Sequence, residues 1–270
     1  MDVRRMSLLA TGKDFASESG HWYTKTGQPL YEIVGANGKL RSTTLRDARK
    51  LDLVPSVSTI LKLEAKPQLT AWLVKQGMLS CLTLPRLEGE DDTRFIERAL
   101  ADSKEQVHKA ADRGTYLHGL MESYFKRDTI ACTADDFPWV LPAIQWIEEK
   151  FPGYSWDPES SFSWQINGLW YGGKRDLIGT HPEKPPLVLD FKVKEFTRAQ
   201  DSKVLAYDEH VTQLAAYGDP FERQFIAVNL FVSRSECGHF IPVTWSQSEI
   251  DSGRRAFAAL LDFWYCRKGL

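Results

Sequence analysis

The sequence predicts an α/β protein with a mixed central sheet flanked by helices, and a helical layer supplied by its N-terminal half. Helical periodicity dominates from about residue 68 to 150 and stops at Pro152-Gly153. Beyond that point short strand-like runs surround one helix and finish on another. One of them, Leu187–Val193, opens as continuous apolar residues, the mark of a strand covered on both faces.

Residues 1–55 are mixed and rich in turn signals. Short strands are expected around Trp22–Thr24, Leu30–Val34 and Leu40–Thr44, with Ala36-Asn37-Gly38 as a hairpin turn. Residues 55–61 read as a loop feeding a helix. Helices are expected at about 68–82, 92–112, 114–126 and 137–150; Pro67, Pro85 and Pro138 sit near their ends, where proline is tolerated. Strands over 160–166 and 169–179 flank Asn167-Gly168, a dipeptide suited to a tight hairpin turn. After the 187–193 strand come a helix over 208–218, strands over 224–232 and 239–244, and a last helix. Ser246 with Glu249 three residues later forms a capping box at its start. Ile250, Phe257, Leu261 and Trp264 give that helix one apolar stripe. The expected organisation is an N-terminal extension over 1–55 and one domain over 56–270, divided into a helical part (56–152) and a sheet core (153–270).

Composition narrows the possible functions. A chain of 270 residues with 43% hydrophobic residues buries a substantial core. Its net charge of -2 gives no global basic field that draws it to nucleic acid, so any such contact has to come from a local groove. Cys81, Cys132, Cys237 and Cys266 are far apart, which excludes C-x-x-C zinc spacing, and they read as buried reduced thiols. The apolar run at the N-terminus is too short for a signal peptide. No apolar stretch reaches the roughly 18 residues that span a bilayer. A soluble cytoplasmic protein is expected. The G-x-x-x-x-G-K-[ST] phosphate loop of a motor is absent.

Three short segments carry the chemistry. Asp190 and Lys192 lie two apart on the apolar strand, so their side chains share one face. Buried charges are costly unless paired or bound to a metal. Asp176 follows Gly172-Gly173 in the preceding strand, which a short connection can bring beside Asp190. Glycines within a strand suggest close approach of another group, for which a DNA backbone is one candidate. Two adjacent carboxylates repel, and a divalent cation lets both stay ionised. His118 and Glu122 are four apart on one helix face, beside the apolar residues Leu117, Leu120, Met121 and Tyr124. Gln213 and Tyr217 share the same spacing on the helix after the Asp-x-Lys strand. Lys174, Arg175, Lys194 and Arg198 flank these motifs, and Trp164, Trp170 and Tyr171 are candidates for stacking on bases.

Together, Arg113-Gly114-Thr115-Tyr116-Leu117-His118 with Glu122, Gly173 to Asp176, Asp190-Phe191-Lys192, and Gln213 to Tyr217 resemble the PD-(D/E)XK nuclease superfamily, in its RecB-like exonuclease branch. The likeness runs from about residue 50 to the C-terminus. Val54–Leu61 also resembles the opening segment of phage and mitochondrial members. The resemblance implies a restriction-endonuclease-like core. It further implies that His118, Asp176, Asp190 and the carbonyl of Phe191 bind Mg2+ or Mn2+, and that Lys192 is the catalytic lysine. Glu122 would support the site or the substrate end. Gln213 and Tyr217 would position substrate or the attacking water, and Arg113, Lys174 and Arg175 would hold the strand. Iron–sulfur members of the branch carry three cysteines after the core. Only Cys237 and Cys266 follow it here, so no cluster is expected. The function implied is a metal-dependent DNA nuclease acting in recombination, repair or genome processing, beside DNA and replication or recombination proteins. It would be an exonuclease on single-stranded or end-exposed DNA; an inactive DNA-binding module of the same fold and a structure-specific endonuclease are the alternatives.

Overall fold

The computed structural model describes residues 21–128, 135–200 and 206–268. Its strands are β1 (Trp22–Tyr23), β2 (Glu32–Val34), β3 (Leu40–Ser42), β4 (Val54–Pro55), β5 (Ser155–Ile166), β6 (Leu169–Thr180), β7 (Leu187–Lys194), β8 (Ile226–Ser233) and β9 (Phe240–Trp245). Its helices are α1 (Leu45–Leu51), α2 (Val57–Leu61), α3 (Pro67–Thr83), α4 (Asp92–Lys126), α5 (Leu141–Lys150), α6 (Asp208–Gly218) and α7 (Gln247–Lys268). The protein is α/β: β5-β6-β7-β8-β9 form a five-stranded sheet flanked by helices. That sheet is mixed, because β7 and β8 run parallel while β6–β7 and β8–β9 are antiparallel.

The chain divides into two compact units. One comprises residues 1–60, 161–173 and 261–270; the other comprises 61–160 and 174–260. In the first, β1 pairs with β4 and β2 with β3. Helix α1, absent from the sequence expectation, starts at a capping box in which Thr44 and Asp47 satisfy each other's backbone N–H. Gly172 explains itself here. A Cβ at that position would lie 2.7 Å from the Tyr23 ring, so the close approach foreseen for a DNA backbone is made by a tyrosine. Tyr171 is fully buried and packs on Phe162, which removes it as a platform for bases. Trp170 gives its carbonyl to the Tyr265 hydroxyl at 2.6 Å.

In the second unit α4 is one helix of 35 residues, not the two expected over 92–112 and 114–126. Gly114 and Gly119 cost it helix propensity but do not break it, and no proline interrupts it. Asp91 caps its start by accepting from the Arg94 N–H at 2.9 Å. Leu117, Leu120 and Met121 of α4 join Ile144 and Ile147 of α5 against Leu177, Leu187, Leu189 and Val228 of the sheet. The opposite sheet face packs Phe231 with Phe196, Ile241 and Val243. Burying apolar area at about 25 cal/mol per Å2 makes these two layers the main stabilising term.

The β5–β6 hairpin turns at Asn167-Gly168 with both residues at positive φ, as the twist of paired strands requires. The capping box of α7 forms, with Ser246 N donating to Glu249 at 2.8 Å. Cys81, Cys237 and Cys266 are exposed, correcting the expectation of buried thiols; each sits on a helix or turn face turned to solvent, and Cys132 lies outside the described residues. Among the described residues no helix is long and apolar enough to cross a membrane.

Candidate metal centre

The site forms where β6 and β7 stop pairing. Their registered pairs are Leu177 with Leu189, Ile178 with Val188 and Gly179 with Leu187. Just beyond the last pair, the Phe191 N–H donates to Asp176 Oδ2 at 2.8 Å, so a side chain takes the place of the ladder. The same oxygen lies 3.0 Å from His118 Nε2. His118 is held at that edge by its own helix, whose neighbouring Leu117 and Met121 are fully buried, and by edge-on packing against the Phe191 ring.

Asp190 is 2% exposed and has three hydrogen-bonded contacts. Lys192 Nζ donates to Oδ1 at 2.8 Å. Asn229 Nδ2 donates to Oδ2 at 2.7 Å, and Lys192 Nζ is also 2.7 Å from Oδ2. Lys192 donates again to Gln213 Oε1 at 2.9 Å, and Gln213 Nε2 donates to the Tyr217 hydroxyl at 3.1 Å. The i, i+4 spacing on α6 produces that last contact.

The electrostatics are those of an acid pair confined with two bases. Burial opposes charge on His118, but the hydrogen bond and attraction of Asp176 outweigh it, so the imidazole titrates above its ordinary value. Burial also acts against ionised Asp176, yet His118, Lys192 and the Phe191 N–H hold its pKa below the usual carboxylate range. Asp190 goes the other way. Burial, reinforced by the charge of Asp176 and only partly offset by Lys192, pushes it up to about 6. Lys192 loses solvation but faces both carboxylates, and its pKa rises, so it is an ammonium.

The donor set suits a borderline or hard divalent cation: one imidazole nitrogen with the carboxylates of Asp176 and Asp190. The burial of Asp190, with the repulsion of Asp176 added, is the kind of penalty a cation relieves. Among the described residues, the grouping whose ligand atoms all lie within 4.8 Å of one another is His118, Glu122 and Glu159, which shares only His118 with the Asp176 and Asp190 set. A neutral imidazole has one lone pair, so His118 serves one grouping at a time.

The other expected residues lie in defined places. Phe191 contributes its N–H to Asp176 as described. Glu122 accepts from Lys126 one turn along α4. Tyr217 is buried and its hydroxyl accepts from Gln213, which in turn accepts from Lys192, a positioning place. Arg113 donates to Asp136 at 3.1 Å and lies over the Trp139 ring, tied to the segment before α5. Lys174 pairs with Glu159. Arg175 donates to Ser160 at 3.0 Å and stacks over Phe221.

Three residues of the site escaped sequence reasoning. Asn229 is fully buried, and Trp245 Nε1 fixes it by donating to its Oδ1 at 2.8 Å. The signal was present, because an asparagine inside the apolar run Ile226–Val232 needs a partner. Glu159 sits in β5 at φ +58, a left-handed conformation rare for a non-glycine residue and without a sequence signature.

No family model and no curated protein matches the chain. Among solved structures, one described as "Crystal structure of SSO0001" is similar at a TM-score of 0.32 and 12% identity, covering 72% of this chain and 86% of that one. Similarity at that level carries no argument about this protein's function.

Proposed function

We propose that this protein is a divalent-metal-dependent nuclease that hydrolyses phosphodiester bonds of DNA, built on a restriction-endonuclease-like core of the RecB-like kind. The observation that supports this reading is that His118 contacts Asp176 while Asp190, on the adjacent strand, contacts the Lys192 ammonium. His118, Asp176 and Asp190, with the Phe191 carbonyl, would hold Mg2+ or Mn2+. A bound ion supplies Lewis acidity at the phosphoryl oxygen and makes water more acidic.

The protein's own groups do the rest. Lys192 donates to Asp190 and Gln213, which fixes the direction of its ammonium group. Its raised pKa suits it to stabilising negative charge that builds on phosphorus rather than to abstracting a proton. Asn229 and Trp245 hold Asp190 in one rotamer, and Tyr217 does the same for Gln213. The reading assigns DNA as the partner, an exonuclease on single-stranded or end-exposed strands as the activity, and recombination, repair or genome processing as the setting.

End-labelled single- and double-stranded DNA, incubated with Mg2+, Mn2+ or EDTA, tests the proposal, and circular substrates separate exonuclease from endonuclease action. Cation-dependent cutting that Asp190→Asn and Lys192→Met both abolish is the expected result. No cutting with either cation, or variants that cut like the wild type, would overturn it.

A further inference from the structure

The face of β7 that carries Lys192 continues into a cavity. Lys194, two residues on, points to the same side of the strand. It lines a cavity of roughly 1120 Å3 that also takes in Trp72 of α3, Tyr207 and Glu209. Successive residues of a strand rise about 3.3 Å, so the cavity begins about 7 Å from Lys192, within the span of one nucleotide.

The charges around the cavity disfavour a phosphate. Lys66 is paired with Glu209 at 2.9 Å, and Arg234 with Glu195 at 3.2 Å. Glu64 and Asp208 bring the carboxylates in the lining to four against three cationic side chains, Lys66, Lys194 and Arg234. Burial, then the charges of Glu209 and Asp208, hold the Glu64 pKa above its ordinary value, so negative charge is already crowded there. A neutral group rich in N–H donors meets these acceptors without that penalty. The amino-bearing edges of cytosine, adenine and guanine are such groups, and carboxylates accept from cytosine N4. Trp72 offers a half-buried indole with no ring partner among the described residues. Tyr207 is already engaged, stacked on His210 and covered by Lys194.

We propose that this cavity takes one unpaired nucleobase of the strand whose phosphodiester lies at Lys192, stacked on Trp72 with its amino group toward the carboxylates. The inference rests on the nuclease reading and narrows it. A base in a duplex reaches such a cavity only after unpairing and unstacking, which costs a few kcal/mol. The substrate class is therefore single-stranded nucleic acid, with cytosine favoured over thymine in the cavity.

Single-stranded dodecamers carrying one 5-iodocytosine, bound to the full chain with Ca2+ in place of Mg2+ and irradiated, test this by mapping the crosslinked peptide. The crosslink is expected on Trp72. Trp72→Ala should weaken binding of oligo-dC about tenfold, the loss of one base–aromatic stack. Trp72→Phe should retain most of the affinity, and Glu64→Gln should narrow the preference for oligo-dC over oligo-dT. Crosslinks confined to other residues, or duplex bound as tightly as single strand, would overturn the inference. So would unchanged affinity in Trp72→Ala, or, if that variant misfolds, an oligo-dC preference that Glu64→Gln leaves intact. Cutting assays on the same preparation keep the two claims apart. Wild-type protein that cuts DNA but fails these binding tests refutes the cavity alone, whereas protein that neither binds nor cuts refutes the nuclease reading.

Discussion

Asn229 holds Asp190 from the neighbouring strand, its amide donating to Oδ2 at 2.7 Å. The parallel register of β7 and β8 sets Asp190 directly against Asn229, so the contact is built into the sheet. Trp245, on β9, holds Asn229 in turn at 2.8 Å. A chain of polar groups thus runs across three strands through an otherwise apolar layer and ends at Asp190.

Asn229→Leu keeps the size of the side chain and removes both contacts. The Trp245 N–H then loses its partner, and Asp190 Oδ2 keeps only Lys192. The expected loss is about 1–3 kcal/mol of unfolding free energy, read from urea denaturation. An unchanged midpoint would show that the amide is not holding either group.

Tyr217→Phe removes only the hydroxyl that accepts from Gln213. Lys192 keeps its charge but loses the support that fixes Gln213. Cleavage kcat should fall about tenfold, or about 1.4 kcal/mol, with KM little changed. A rise in KM at constant kcat would mean that the hydroxyl binds substrate instead.

His210 makes stability depend on pH. Its Nδ1 accepts from the Tyr207 N–H at 2.9 Å, and burial, with Lys194, Lys192 and Lys66 adding, depresses its pKa to about 3. Unfolded, it titrates near 6.5. Between those values the unfolded chain binds the extra proton, so this contribution is complete above pH 6.5 and is lost as pH falls toward 3. From pH 7 to 5 the wild type should lose about 2 kcal/mol that His210→Asn does not lose. Parallel profiles for the two proteins would contradict the assignment.

Gly218 ends α6 under the Phe225 ring, where a Cβ would lie 2.1 Å from Cζ. Gly218→Ala should cost about 1–3 kcal/mol through overpacking, visible as a lower Tm. The double variant with Phe225→Leu should recover part of it, and an additive loss would place the strain elsewhere.

Much of this was legible from residue types alone. Helical patterning located α6 and α7, a continuous apolar run located β7, and the motif residues His118 with Asp176, and Asp190 with Lys192, lie in contact. What was not legible came from partners far along the chain. The Gly172 approach was read as space for a ligand, yet Tyr23 fills it. Asn229 was visible only as a misfit in an apolar run, because its partner sits on another strand. Glu159 owes its place to a backbone conformation that propensity does not encode. The cysteines were judged by type, but their exposure depends on which helix face each occupies.

The most direct test of the site is pulsed EPR on the protein with one equivalent of Mn2+. Nitrogen modulation from a coordinated imidazole is expected for the wild type and lost in His118→Gln, and tight Mn2+ binding should vanish in the Asp176→Asn, Asp190→Asn double variant. No nitrogen coupling in the wild type, or binding that survives the double substitution, would contradict the assignment of the ion to these residues.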